Sequence, residues 1–215
     1  MKNPDPRIVL SRLKNRYDLT TCRDEFLHFS NPYETLIATI LSAQTTDRTV
    51  NQVTSKLFAQ YPSVSDLAGA EISGVEKIIL STGFYHAKAR NIIAASRMVM
   101  NEFDGKVPDR MEDLVRLPGV GRKTANIVLA HAFSKTEGIA VDTHVKRISI
   151  RLGLTRHSNP LDIETDLTRI FTRDNWAEIN GLFILHGRRV CTSRKPQCMS
   201  CDLSDICFYA NTHAE

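Results

Sequence analysis

Four of the five cysteines fall inside 17 consecutive residues, and that cluster restricts the fold more than any other feature of the chain. Cys191, Cys198, Cys201 and Cys207 form a C-x6-C-x2-C-x5-C pattern. The residues between them, including Thr192, Ser193, Pro196, Gln197 and Ser200, are polar or break regular structure. Such a loop has few apolar groups to organise it, so something else must. Four thiolates on a short irregular loop can wrap one metal centre. Disulfides are the competing explanation, and they need an oxidising compartment. The opening residues Met1-Lys2-Asn3-Pro4-Asp5-Pro6 are polar and lack the apolar segment of a secretion signal. A reducing compartment is therefore expected, which favours a metal. The spacing leaves zinc and a cubane iron–sulfur cluster both open. Arg188, Arg189, Arg194 and Lys195 surround the pattern and suit an anionic thiolate centre. Cys22 stands apart and reads as a small buried apolar residue.

The rest of the chain reads as helices joined by short loops, giving an all-α fold class. Asp5 caps a helix from Pro6 to about Tyr17, and Pro32 occupies the first position of the next. Further helices are expected from Asp47 to about Tyr61, near 63–69 and 73–81, from His86 to Phe103, from Asp109 to Leu117 and from Arg122 to Phe133. Asp142 is the expected N-cap of a helix ending before Gly153. Two more helices open at Asn159-Pro160 and at Asn175. No alternating strand pattern stands out. No segment approaches the roughly 20 apolar residues that a membrane-spanning helix needs, so no membrane partner is expected.

Between the helices at 109–117 and 122–133 lies Leu117-Pro118-Gly119-Val120-Gly121-Arg122-Lys123-Thr124-Ala125. Glycines in such a turn permit close backbone approach and unusual φ. Exposed N–H groups here, together with the positive end of the helix dipole, make an anion site suited to a phosphate. A plain tight corner between two helices would carry the same Gly-x-Gly. Lys123 sits in the first turn of the second helix, where the dipole opposes an ammonium and favours the neutral, nucleophilic amine. A solvated or phosphate-binding lysine is the simpler alternative. Asp142 is its natural partner: an ionised cap that stabilises a nearby cation or assists proton transfer.

Net charge is +4, from 28 Lys and Arg against 24 Asp and Glu. Four windows, 77–101, 114–136, 143–161 and 179–201, hold four basic residues each and no acidic one. Brought to one face they would suit a phosphate backbone. On charge alone, four separate solvated helix faces that never meet are the favoured reading.

Leu117 to Asn126 resembles the helix-hairpin-helix of endonuclease III-type DNA glycosylases. Val141-Asp142-Thr143-His144-Val145 resembles their catalytic aspartate segment, and the four-cysteine spacing, led in by Leu185-His186-Gly187-Arg188, their C-terminal 4Fe-4S loop. Leu41-Ser42-Ala43-Gln44-Thr45-Thr46-Asp47 and Gly83-Phe84-Tyr85-His86-Ala87-Lys88-Ala89 match as well. The resemblance spans roughly 30–208. It implies two helical domains with a DNA-binding groove between them. One is a six-helix barrel over 25–136 that contains the hairpin. The other combines 1–24 with 137–215 and is closed by the cluster loop.

The function implied is a bifunctional DNA N-glycosylase and AP lyase of base excision repair. It would act as a monomer on double-stranded DNA containing damaged bases or abasic sites, in a prokaryotic cytoplasm. Lys123 would attack C1′ of a flipped-out nucleotide, with Asp142 assisting. The substrates would be oxidised pyrimidines of the thymine glycol type. Gly119, Val120, Gly121 and Arg122 would contact DNA, and Gln44 would fill the gap left by the flipped nucleotide. Phe84 falls where the family places an apolar wedge, though a core position beside Tyr85 fits the sequence too. Cys191, Cys198, Cys201 and Cys207 would ligate a 4Fe-4S cluster. Three alternatives remain at this point: a mismatch glycosylase of the same superfamily, a non-catalytic metal-bearing DNA-binding module, and electron transfer. The first is disfavoured by Lys123, which such branches replace.

Overall fold

A computed structural model describes residues 4–213; Met1–Asn3, on which part of the signal-peptide reading rests, lie outside the described residues. The chain divides into two compact units, one formed by residues up to Cys22 and from Gly138 onward, the other by Arg23–Glu137. Among the described residues all regular structure is helical, and no helix is long and apolar enough to cross a membrane.

The first unit opens with α1 (Pro6–Arg16), whose Asp5 cap accepts from Arg7 N–H. The second unit then supplies α2 (Pro32–Leu41), α3 (Asp47–Gln60), α4 (Val64–Ala68), α5 (Ile72–Ile79), α6 (Tyr85–Glu102), α7 (Met111–Leu114) and α8 (Arg122–Phe133). The chain returns to the first unit with α9 (Thr143–Leu152), α10 (Pro160–Ile170), α11 (Trp176–Arg189) and α12 (Phe208–Thr212).

In the second unit α2 is the central helix. Tyr33 and every residue from Thr35 to Leu41 are buried, so α2 is covered on all sides, against α3, α6 and α8 among others. Two threonines in such a helix need acceptors. Thr35 Oγ1 donates to Asn31 O at 2.9 Å and Thr39 Oγ1 to Thr35 O at 2.7 Å, so neither hydroxyl is stranded. A capping box between Ser63 and Asp66 starts α4.

The expected helix over Asp109–Leu117 shrinks to the single turn α7. Arg110, its N-cap, makes no side-chain cap bond. Asp109, the better capping residue one position earlier, is drawn to Lys135 at 2.5 Å. At the other end, Pro118 disfavours helical backbone at Leu117.

In the first unit α9 packs on α11, with α1, α10 and α12 around that pair. Gly187 on α11 makes the approach possible. A Cβ there would lie 2.5 Å from His144 Nδ1 and 2.8 Å from Arg147 Nη2. The short helix α12, not expected from the sequence, extends over five residues after Cys207.

Candidate active site

The turn between α7 and α8 is built from the inside outward. Leu117 and Val120 are buried, and Val120 N–H donates to Leu117 O at 3.0 Å, closing the corner. Gly119 takes φ +81°, and a Cβ there would press to 3.1 Å on Ile40 Cγ2 and on Asn91. The fold itself therefore requires that glycine. Gly121 differs: φ is −95°, and a Cβ at that position would meet nothing within 4 Å. No packing demand of the second unit explains its missing side chain. Gly121 is the N-cap of α8, without a side-chain cap, so the first-turn N–H groups are not claimed by a capping side chain. Ala125, Val128 and Leu129 bury one face of α8, while Arg122 and Lys123 are exposed. Lys123 stands at the second helical position, on the side of the dipole's positive end.

Asp142 belongs to the first unit and caps α9. Its Oδ1 accepts from His144 N–H and Val145 N–H, both at 2.8 Å. The two bonds use one oxygen, which fixes the carboxylate and leaves Oδ2 outside the cap. Upstream, Asn180 Nδ2 donates to Ala140 O at 2.8 Å, pinning the segment that leads into Asp142.

Gln44 and Phe84 share an uncommon backbone. Their φ values are 54° and 48°, two of only four non-glycine residues with positive φ among the described residues. Such conformations cluster at functional sites. Phe84 is 70% exposed, which removes the core reading of that position. The loops bearing the two residues are joined, because Thr45 Oγ1 donates to Thr82 O at 2.5 Å.

The four cysteines are free and line one cavity together with Ile148, Arg151, His186 and Tyr209. Burial pushes the Cys201 thiol up to about 11 and raises that of Cys207 as well. A buried thiolate here therefore needs a compensating cation. Donors already face the sulfurs. Arg151 Nη1 lies 3.3 Å from Cys191 Sγ, and His186 Nε2 lies 3.6 Å from Cys201 Sγ. Burial lowers His186 to about 4 and raises Tyr17, so at neutral pH the imidazole is uncharged and the phenol keeps its proton. Tyr17 OH and His186 Nδ1 are hydrogen-bonded at 3.1 Å, and in the tautomer with its proton on Nε2 the ring donates to Cys201 Sγ once that sulfur is a thiolate. That is the outer shell a thiolate-ligated centre uses.

Sequence reasoning points to cations beside the cysteines and misses the ones that fasten the loop. Arg12 donates to Asp202 O at 2.7 Å and pairs with Asp205, and Arg16 pairs with Asp202 at 2.7 Å. Arg147 Nε donates to Cys191 O at 3.0 Å, and Arg151 donates to Thr192 O at 2.7 Å and Ser193 O at 2.8 Å. Each pair is spaced i, i+4 on one helix face, the one signal in the sequence that marks them. Two basic residues of the 143–161 window are thus occupied by this loop, and Lys88 of the 77–101 window is buried. The acid-free windows do not act wholly as outward-facing charge.

Residues 37–173 match the family model of the HhH-GPD superfamily base excision DNA repair proteins. Endonuclease III of Synechocystis sp. is 49% identical over 199 residues, covering 93% of this chain and 90% of that one. A solved trapped endonuclease III–DNA covalent intermediate superposes with a TM-score of 0.87 at 38% identity, covering 97% of each chain. A thermostable thymine-DNA glycosylase superposes at 0.79 with 25% identity, covering 96% of this chain and 94% of that one. With its helical turn, its capped aspartate and its four-cysteine loop all carried on this shared fold, the chain belongs to the endonuclease III family of HhH-GPD base excision repair DNA glycosylases.

Proposed function

We propose that the protein is a bifunctional DNA N-glycosylase and AP lyase that removes oxidised or ring-saturated pyrimidines of the thymine glycol type from double-stranded DNA. The observation that carries this reading is an exposed lysine at the second position of α8, two residues after a glycine that no contact of the protein explains. A DNA phosphate at Gly121 accounts for both features. Its oxygens would meet the uncapped N–H groups, and a side chain at 121 would stand in the way. Gly119, Val120 and Arg122 complete this contact, while Gln44 and Phe84 enter the base stack.

The neutral Lys123 amine attacks C1′ of the extruded nucleotide, the C1′–N bond breaks, and the base departs with the electron pair. Asp142 takes the proton released by the amine and stabilises positive charge on the sugar. Ring opening gives a Schiff base between Lys123 and C1′. Loss of the C2′ proton then expels the 3′ phosphate by β-elimination, and water releases the enzyme.

Cys191, Cys198, Cys201 and Cys207 would hold a 4Fe-4S cluster. The four sulfurs share one cavity, and four thiolates on a short irregular loop suit such a group. When bound, the cluster supplies the cationic iron that stabilises four thiolates and so orders the loop. The protein would work as a monomer in a prokaryotic cytoplasm.

A panel of duplexes, each with one modified base, tests the substrate class. Excision and nicking are expected at thymine glycol and nicking at abasic sites. Excision of a mispaired thymine without strand cleavage would instead identify a mismatch glycosylase.

A further inference from the structure

Lys88 is a buried cation with no evident reason to be there. It lies on the first turn of α6, is 5% exposed, and has no carboxylate partner among the described residues. Burial alone lowers its affinity for a proton. An ammonium in such a position is costly unless its hydrogen bonds are made, and the bonds it makes are informative. Nζ donates to Thr45 Oγ1 at 2.6 Å and to Thr82 O at 2.8 Å. Thr45 Oγ1 in turn donates to the same Thr82 O. One ammonium, one hydroxyl and one carbonyl close a triangle across two loops that are 37 residues apart in sequence.

Each corner adjoins a strained residue. Thr45 follows Gln44, and Thr82 precedes the Gly83-Phe84 pair. The left-handed backbone at Gln44 and Phe84 is sterically unfavourable for residues with a Cβ, yet both are held that way while their side chains are exposed. Lys88 N–H also donates to Phe84 O at 3.1 Å, so the helix that carries the cation holds the second loop directly.

We propose that Lys88, through Thr45 and Thr82, is a positioning residue that fixes the spacing of the Gln44 and Phe84 tips, so that the two enter duplex DNA as one rigid pair when a nucleotide is extruded. The inference rests on the reading of Gln44 and Phe84 as residues that enter the stack. Lys88 touches neither the reacting sugar nor Lys123 in this role. It acts on the step that needs a base pushed out of a helix, and not on the covalent chemistry.

The experiment uses the cluster-loaded full chain and compares Lys88→Met, Thr45→Val and Thr45→Ser with wild type. Extrusion is read from the fluorescence of 2-aminopurine placed beside a thymine glycol in duplex DNA. Covalent chemistry is read from borohydride trapping on a single-stranded abasic oligonucleotide, where no base has to leave a stack. Lys88→Met and Thr45→Val should lose the fluorescence rise and slow duplex excision by about 10- to 100-fold. The defect should be confined to the duplex, and Thr45→Ser, which keeps the hydroxyl, should restore it. If Lys88→Met does not fold, Thr45→Val carries the same expectation. A normal fluorescence rise in a folded Thr45→Val protein overturns the proposal, as does an equal loss on single-stranded and duplex substrates. Failure of the wild-type protein to trap on the abasic strand would instead contradict the lyase reading itself.

Discussion

The hairpin turn and the cysteine loop are both short, irregular and charged, yet they are stabilised in opposite ways. The turn is complete within the second unit: Leu117 and Val120 are buried, and Gly119 is packed against Ile40 and Asn91. The loop has little apolar packing beyond Val190, Leu203 and Cys207. Arginines from α1 and α9 fasten its backbone, and its sulfurs face a cavity with donors already aimed at them. A segment held by its own packing is finished when the chain folds. A segment held by polar tethers around buried thiols needs a further group to be finished.

Removing that group should have the largest effect and should break the comparison cleanly. Oxidative loss of the cluster, or Cys198→Ser, should open the loop to protease between 190 and 207 and weaken DNA binding. The melting of the second unit should stay in place. Limited proteolysis with mass mapping reads this; cleavage within α7 or α8 instead would show that the turn depends on the loop.

The two glycines of the turn sharpen the same comparison. Gly119→Ala puts a Cβ at 3.1 Å from Ile40 and Asn91 on a backbone with φ +81°. Left-handed strain and overpacking together should cost about 2–4 kcal/mol in urea unfolding. Gly121→Ala meets nothing within 4 Å. It should leave stability within about 0.5 kcal/mol while weakening binding to duplex DNA. Equal destabilisation by the two would show that Gly121 is a packing residue after all.

The smallest expected effect is a pH slope. Burial lowers the Lys88 amine below its ordinary 10.5. Between the lowered value and 10.5 the unfolded chain binds more protons than the folded one, so stability rises with pH across that window. Below it the burial penalty is present in full. Wild type should therefore gain stability relative to Lys88→Met as pH climbs toward 10.5, in urea titrations at matched ionic strength; a parallel pair of curves contradicts the assignment.

Local chemistry makes much of this fold legible. Helix starts at Pro6, Pro32 and Pro160 and the cap at Asp142 follow from side chains beside the termini they serve. The turn glycines, the capped aspartate and the four thiols are visible for the same reason. What stays hidden depends on distant partners. Asp109 leaves α7 uncapped because Lys135 draws it away. The arginines of α1 reach a loop about 190 residues later, at Asp202 and Asp205. Packing and a positive φ together separate Gly119 from Gly121, and only burial separates a wedge-like Phe84 from a core one. Lys88 reads in sequence as one more basic residue in an acid-free window, because its two acceptors lie on loops that meet only in the folded unit.

The central claim is that the Lys123 amine becomes covalently joined to the sugar. The most direct test is borohydride reduction of the protein on a thymine glycol duplex, followed by proteolysis and mass spectrometry of the adduct. The account predicts one sugar-modified peptide carrying Lys123, and neither adduct nor strand scission with Lys123→Gln. An adduct on another residue, or undiminished scission by Lys123→Gln, would contradict it.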